Sequence, residues 1–157
     1  MRMNSAQETF EAMMRDGIAP HLRRLGFKGS GQAYALPSDT CWALLGFQKW
    51  RYSDSKDLKF TVNLSVVSKA AWERARSEHS WLPARPAPNA QYAADTPMWN
   101  QRIGRLLPGD EDRWWEMSAA SSAVRLVDEV VKAIRDFALP TLLEQIEAAT
   151  PAHPTPD

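Results

Sequence analysis

The chain contains a single cysteine, Cys41, among 157 residues, so no disulfide can form within it. Without a second thiol it also lacks the ligands for a thiolate metal site. Charge of one sign is missing as well: Lys+Arg and Asp+Glu both number 19. That balance denies the chain the basic excess of a nucleic-acid binder and gives it no pull towards anionic lipid. Only three histidines occur, His21, His79 and His153, and their spacing matches no metal motif. No stretch approaches the ~18 consecutive apolar residues of a membrane span. The first fifteen positions carry Glu8 and Glu11 and no apolar run, so they do not read as a signal peptide. There is no phosphate-binding loop: Gly29-Ser30-Gly31 follows a helix pattern and lacks the lysine, and reads as a turn. There is no Gly-x-Ser-x-Gly elbow, and no carboxylate pair stands out for acid–base work. These absences predict no cofactor, no metal and no membrane. Cys41, beside Trp42 in an apolar run, reads as a small buried hydrophobe rather than a nucleophile, and a reducing, cytoplasmic setting fits it.

What is present is an ordinary globular composition, 44% hydrophobic and 24% charged. The length fits one domain, expected over residues 1–149. The polar, Pro-rich residues 150–157 are expected to be a disordered tail. Seven tryptophans are the unusual feature. They bring large apolar area and seven indole donors into a small fold.

Periodicity places a helix over residues 4–25. Ser5 followed by Glu8 is a capping-box pattern, and Phe10, Met14, Ile18, Leu22 and Leu25 form one apolar stripe. Pro20 is expected to kink or split this helix near Asp16-Gly17, and Gly26 to end it, with Phe27 folding back. Short strands follow at 33–36 and 41–49, separated by the turn Pro37-Ser38-Asp39. The cleanest strand runs over 59–66, with Phe60, Val62, Leu64 and Val66 on one face and Lys59, Thr61, Asn63 and Ser65 on a wetter one. Ser68 is placed to cap a short helix reaching about residue 77. Four prolines, Pro83, Pro86, Pro88 and Pro97, then mark a long irregular stretch. Residues 99–107 fit either a helix or a strand. The turn signal Leu107-Pro108-Gly109-Asp110 favours two strands joined as a hairpin, with Trp114 and Trp115 on the second. Ser121 or Ser122 starts the last helix, whose buried face is predicted as Val124, Val127, Val131, Ile134 and Phe137, with Val130 and Ala138 beside them; Pro140 opens a further or kinked segment. No internal repeat is evident. This order predicts an α+β fold: an antiparallel sheet of about five strands, packed on one face by the long N-terminal helix and the C-terminal helix, with a short helix in the middle.

The order of several short pieces resembles the bacterial domain-of-unknown-function family numbered 4304. The pieces are Ile18-Ala19-Pro20-His21-Leu22, Leu25-Gly26-Phe27-Lys28, Phe47-Gln48-Lys49, Phe60-Thr61-Val62-Asn63-Leu64, Arg102-Ile103-Gly104, Trp114-Trp115 and Leu139-Pro140. The resemblance spans about residues 10–143. It implies the same single-domain fold and brings no activity and no catalytic residues.

A basic-aromatic group is the best candidate surface: Lys49, Trp50, Arg51, Tyr52, Trp99, Arg102, Arg105, Arg113, Trp114 and Trp115. Such a set fits a protein-binding hot spot or a single-stranded nucleic-acid platform. It fits equally a core of indoles covered by arginine stems. Gln48 and Asn63 stand out as amides in apolar strands, and with Lys49 and Arg102 they would line a groove if they share the wetter face; alternatively they only satisfy each other. The Asp110-Glu111-Asp112 run lacks cation-ligand spacing and reads as a solvated turn. The expected binding surface is therefore Gln48, Lys49, Trp50, Asn63, Trp99, Arg102, Arg105, Trp114 and Trp115. The leading expectation is a non-enzymatic module, in one specific version of bacterial immunity type, whose partner is another protein. The alternative is a small-molecule binder or enzyme using a polar groove around Gln48, Asn63, Arg102 and Arg105.

Overall fold

Both long helices of this chain carry apolar residues every four positions: Ala6, Phe10, Met14, Ile18 and Leu22 in the first, Val130, Ile134, Ala138 and Leu142 in the last, all buried. A regular α-helix cannot hold such a series on one face, because each step of four overshoots by about 40°. The computed structural model, which describes residues 5–54, 56–92, 96–118 and 122–150, resolves the conflict in the same way twice. Helix α1 (Ala6–Met13) passes through a π turn at Met14–Ile18 into α2 (Ala19–Arg24). Near the C-terminus, α4 (Ala123–Ala133) passes through a π turn at Ile134–Ala138 into α5 (Leu139–Ala149). Each π turn takes up one extra residue, worth about 100°, and returns the stripe to the core.

The prolines explain why the wide turns lie where they do. Pro20 and Pro140 have no N–H to give, and their rings would strike the carbonyl four residues back, on Asp16 and Asp136. Widening the helix there moves that carbonyl aside, and the N–H groups of Ala19 and Leu139 reach back to the carbonyls of Met14 and Ile134. So the regular helix is interrupted near Asp16-Gly17, where Pro20 is expected to disturb it, by a wide turn and not by a break in the chain's helical path. The two sites also share a short repeat that a global scan misses: Arg15-Asp16 and Arg135-Asp136, each five residues before its proline at the arginine. In both, the arginine Nε donates to the neighbouring aspartate, at 3.0 and 2.8 Å. These contacts hold both carboxyls below the usual range.

The N-terminal helix starts and stops as its sequence requires. Ser5 Oγ accepts from the Glu8 N–H at 3.1 Å. At the other end Gly26, at φ 103°, allows Phe27 N–H to reach the Leu22 carbonyl at 3.0 Å, a Schellman closure that buries Phe27. Asn4, Ser121 and the tail beyond 150 lie outside the described residues. Thr150, expected as the first tail residue, is anchored: its hydroxyl donates to the Ile146 carbonyl.

Among the described residues the sheet has six strands, all antiparallel to their neighbours. β1 (Lys28–Ser30) and β2 (Ala33–Leu36) form a hairpin across Gly31-Gln32, with Gly31 at φ 60°. The sequence pattern leaves β1 as a turn, because its three residues carry two polar side chains and a glycine. β3 (Cys41–Lys49) pairs along its full length with the 12-residue β4 (Asp57–Ser68). On the far edge of β4 lie β5 (Trp99–Arg102), opposite residues 63–66, and β6 (Trp115–Ser118), opposite residues 57–60. Both run antiparallel to β4, so they follow one another along the same edge and do not pair as the expected hairpin. The Leu107–Asp110 turn is present, but it belongs to a longer excursion that also includes a 3-10 turn at Ile103–Leu106. Helix α3 (Lys69–Glu78) is capped by Ser68, whose Oγ accepts from Ala71 N–H.

One sheet face is covered by the two long helices, and Phe10, Ile18, Val62, Leu64, Val131 and Ile134 share its interior. Phe60 is the aromatic centre, 5.3 Å from Phe10 and 5.8 Å from Trp115 between ring centroids. The last helix departs from its predicted face at Val124, which is exposed, at Phe137, which is half-buried, and at Leu126, which is buried, while Val130 and Ala138 are buried as expected. The π turn re-phases the stripe past Ile134, which takes Phe137 off the buried face; Val124 lies upstream of it, in the exposed first turn of α4. The opposite sheet face carries a smaller cluster, Val67, Ala71, Trp72, Ala75 and Leu82. Cys41 is buried, as expected.

Two consequences can be measured. A Cβ at Gly17 would lie 2.6 Å from Val127 Cγ2, on a stiff β-branched side chain. Gly17→Ala is expected to lose about 1 kcal/mol or more in chemical denaturation, overpacking of ~1–3 kcal/mol outweighing a helix-propensity gain of ~1. Adding Val127→Ala should recover part of the loss. Tyr34 is buried with no partner for its hydroxyl among the described residues, and burial raises its pKa against the opposing pull of Arg23. Tyr34→Phe is therefore expected to raise stability by about 1 kcal/mol in the same assay; a clear loss would show that the hydroxyl has a partner.

Candidate functional site

Alternation along β3, β4 and β5 decides which polar side chains meet. Asn63 lies opposite Gly46 on one side and Arg102 on the other, Ser65 lies opposite Asn100, and Thr61 lies opposite Gln48. Residues in register share a face, so Gln48, Asn63, Ser65, Asn100 and Arg102 all leave the sheet away from the two long helices. This face is less open than the alternation alone suggests. Thr61 and Ser65 are buried, and the Thr61 hydroxyl donates to the Arg113 carbonyl at 2.7 Å. Between them the described residues form a groove of about 690 Å³, walled on one side by residues 88–92 and on the other by β5, Arg105 and Asp112.

The floor is an amide network. Asn63 Nδ2 donates to Gln48 Oε1 at 2.7 Å and to Asn89 Oδ1 at 3.1 Å, and Asn89 Nδ2 donates to the Phe47 carbonyl at 3.0 Å. Both Asn63 protons are thus used. Asn63 Oδ1 and Gln48 Nε2 have no hydrogen-bond partner among the described residues, so an acceptor and a donor stand side by side on the floor. Asn89 reaches the sheet only because position 46 is glycine: a Cβ there would lie 2.2 Å from Asn89 Oδ1 and 2.9 Å from Pro88 Cβ.

The charged wall is built by the 103–114 excursion, which folds flat onto Gly104. A Cβ at that position would meet the Glu111 carbonyl at 2.3 Å and the Arg113 nitrogen at 2.4 Å. The fold brings Asp112 to Arg102, whose Nη1 donates to Asp112 Oδ2 at 2.8 Å; Trp114 Nε1 donates to the same oxygen at 2.9 Å. The Arg102 guanidinium lies 5.0 Å from the Trp114 ring centre. Arg105 Nη1 donates to the Asp110 carbonyl at 2.9 Å. The acidic run is exposed, as a solvated turn would be, but it is not a hairpin tip, and its Asp112 also lines the groove.

The nine residues nominated from the sequence separate into several places. Gln48, Asn63, Arg102 and Arg105 converge on the groove. Trp114 stands behind Arg102. Lys49 projects to the helix-covered face, its Nζ 5.8 Å from the Phe10 ring. Trp99 lies opposite Val66 and packs on the main core. Trp115 is buried and stacks on Phe60. Trp50 is exposed past the end of β3, beside Tyr52 and under Lys59 Nζ at 5.0 Å. Sequence reasoning missed Asn89, Asn100 and Asp112. Gly46 carried the one available signal, since a glycine inside an apolar strand marks a close approach of another segment.

Elsewhere a hollow of about 190 Å³ lies between Phe10, Met14, Ala19 and the Gly31-Gln32 turn. Its rim cations are already engaged, Arg15 with Asp16 and Arg23 with the Gly29 carbonyl. Among the described residues no group of three or more His, Cys, Asp or Glu could hold a metal ion, and no helix is long and apolar enough to cross a membrane.

Comparison with known proteins gives one match: the family model described as Domain of unknown function (DUF4304) covers residues 18–144. No curated protein and no solved structure matches.

Gly46→Ala is expected to lift the 88–89 turn from the sheet. The Asn63 and Asn89 side-chain amide signals should move in an ¹H–¹⁵N spectrum, with a stability loss of about 1–2 kcal/mol for the broken hydrogen bonds. Unmoved signals would show that the turn is not seated on Gly46.

Proposed function

The chain belongs to the DUF4304 family, and from that premise we propose that it is a non-catalytic binding domain that takes a small, hydrogen-bonding ligand into the groove on its sheet. The observation that carries this reading is the convergence of Gln48, Asn63, Arg102 and Arg105 on one concavity. Its volume of about 690 Å³ lies within the range of small-molecule sites. The lining supports binding over chemistry. It contains no histidine, cysteine, lysine or glutamate, and its aspartate is held by Arg102 and Trp114. A nucleophile with a base in reach, the minimum for covalent catalysis, is not among these side chains.

A protein partner is the second reading. The exposed pair Trp50 and Tyr52, with ring centroids 5.1 Å apart, favours it, since Trp and Tyr are enriched in hot spots.

The two readings separate in one experiment. N-acetyl amino acids, monosaccharides and nucleosides are titrated to millimolar concentration against ¹⁵N-labelled chain. Shifts are expected to cluster at Gln48, Asn63, Asn100 and Arg102 with at least one class. If no class perturbs the groove, the small-ligand reading fails. Binding of a partner protein that moves only Trp50 and Tyr52 would support the second.

A further inference from the structure

We propose that the groove recognises a terminal acylamino carboxylate, the –CO–NH–CHR–COO⁻ group found at the end of a peptide or on a free N-acyl amino acid. This inference rests on the groove being the ligand site. Two features set side by side on the sheet lead to it. The first is the charge of the lining, which holds two arginines against one aspartate and thus suits a single negative charge. Asp112 does not use up that capacity. It engages Arg102 through Nη1 alone, leaving the Nε and Nη2 protons without partners among the described residues. Arg105 donates to an uncharged carbonyl, and its nearest carboxylate oxygen, on Asp110, is 3.9 Å away. The planar guanidinium fork of Arg102, already oriented by Trp114 and Asp112, matches a carboxylate in a two-point contact.

The second feature is the amide floor. Arg102 is the register partner of Asn63, so a carboxylate on Arg102 brings the next few atoms of the ligand over the Asn63–Gln48 pair. That pair offers one acceptor, Asn63 Oδ1, beside one donor, Gln48 Nε2. The complement is a group that presents an N–H next to a C=O, which is a peptide-type amide. A sugar offers hydroxyls but no such fixed order, and an amine next to the carboxylate would meet the arginines. A carboxylate that carries an acylated nitrogen satisfies both features at once.

The test compares N-acetyl-Ala-Ala as the free acid with its C-terminal amide, by isothermal titration and by ¹H–¹⁵N mapping. The acid is expected to bind about tenfold tighter or more, the scale of one charge-assisted contact, and its advantage should shrink with added salt. Arg105→Gln, which removes the contacts to the Asp110 carbonyl and carboxylate, should bring the acid-to-amide ratio to within about threefold of unity; Arg102→Gln should do the same. Asn63→Ala should weaken acid and amide alike and leave the ratio intact. Thermal midpoints within a few degrees of the unaltered chain confirm that each variant is folded. N-acetyl-alanine and an acetylated octapeptide with a free C-terminus separate the sources. Tight binding of the former points to a small molecule and of the octapeptide alone to a chain end, and either supports the class. Equal binding of acid and amide within the groove, or no binding of either, overturns the inference. The wider reading falls only if no ligand class moves the groove residues.

Discussion

Everything in this fold is referred to β4, which among the described strands is the one that touches three others. Its 12 residues pair with β3 along one edge and with β5 and β6 along the other. Alternation then sends Leu58, Phe60, Val62, Leu64 and Val66 into the helix-covered core and Thr61, Asn63 and Ser65 to the other face. A slip of one residue would invert both sets. The core side forbids the slip, because burying an unpartnered amide or hydroxyl there would cost about 1–3 kcal/mol each. The hydrophobic face thus fixes the polar one. The groove amides are aligned by packing on the side of the sheet that they do not touch.

The tryptophans serve that same arrangement. Trp72 and Trp115 are buried, one in each cluster. Several of the others are covered by cations: Trp42 by Lys69 and Arg85, Trp50 by Lys59, Trp114 by Arg102. The indole–cation pairs extend the sheet's apolar cover outwards while keeping the charge in water. At Trp114 the pairing has a second effect, since it aims the guanidinium that faces the groove.

The sequence could be read correctly wherever one local rule decided the outcome. The Ser5 and Ser68 caps, the Gly26 stop, the alternation of 59–66 and the α+β class all follow from short-range chemistry. The amides Gln48 and Asn63 stood out because polar groups in apolar strands need partners. What stayed hidden depended on contacts distant in the chain. Trp115 and Glu116 alternate like a hairpin strand, but β4 is long enough to accept β5 and β6 end to end. Nothing near Asn89 marks it, since its place is set by Gly46, 43 positions earlier by number. Phe137 was misplaced because a single period was imposed on a helix that changes pitch at Ile134, and Val124 because the first turn of that helix stands clear of the core.

That change of pitch has a consequence for how the chain can vary. A π turn is one residue more than a straight helix requires, retained at Met14–Ile18 and again at Ile134–Ala138. Losing a single codon there would leave a perfectly regular helix, and the damage would appear downstream, where Leu22 or Leu142 would swing about 100° out of the interior. The surplus residue acts as a phase correction between two half-helices, so insertions and deletions at these points are constrained by side chains a full turn away.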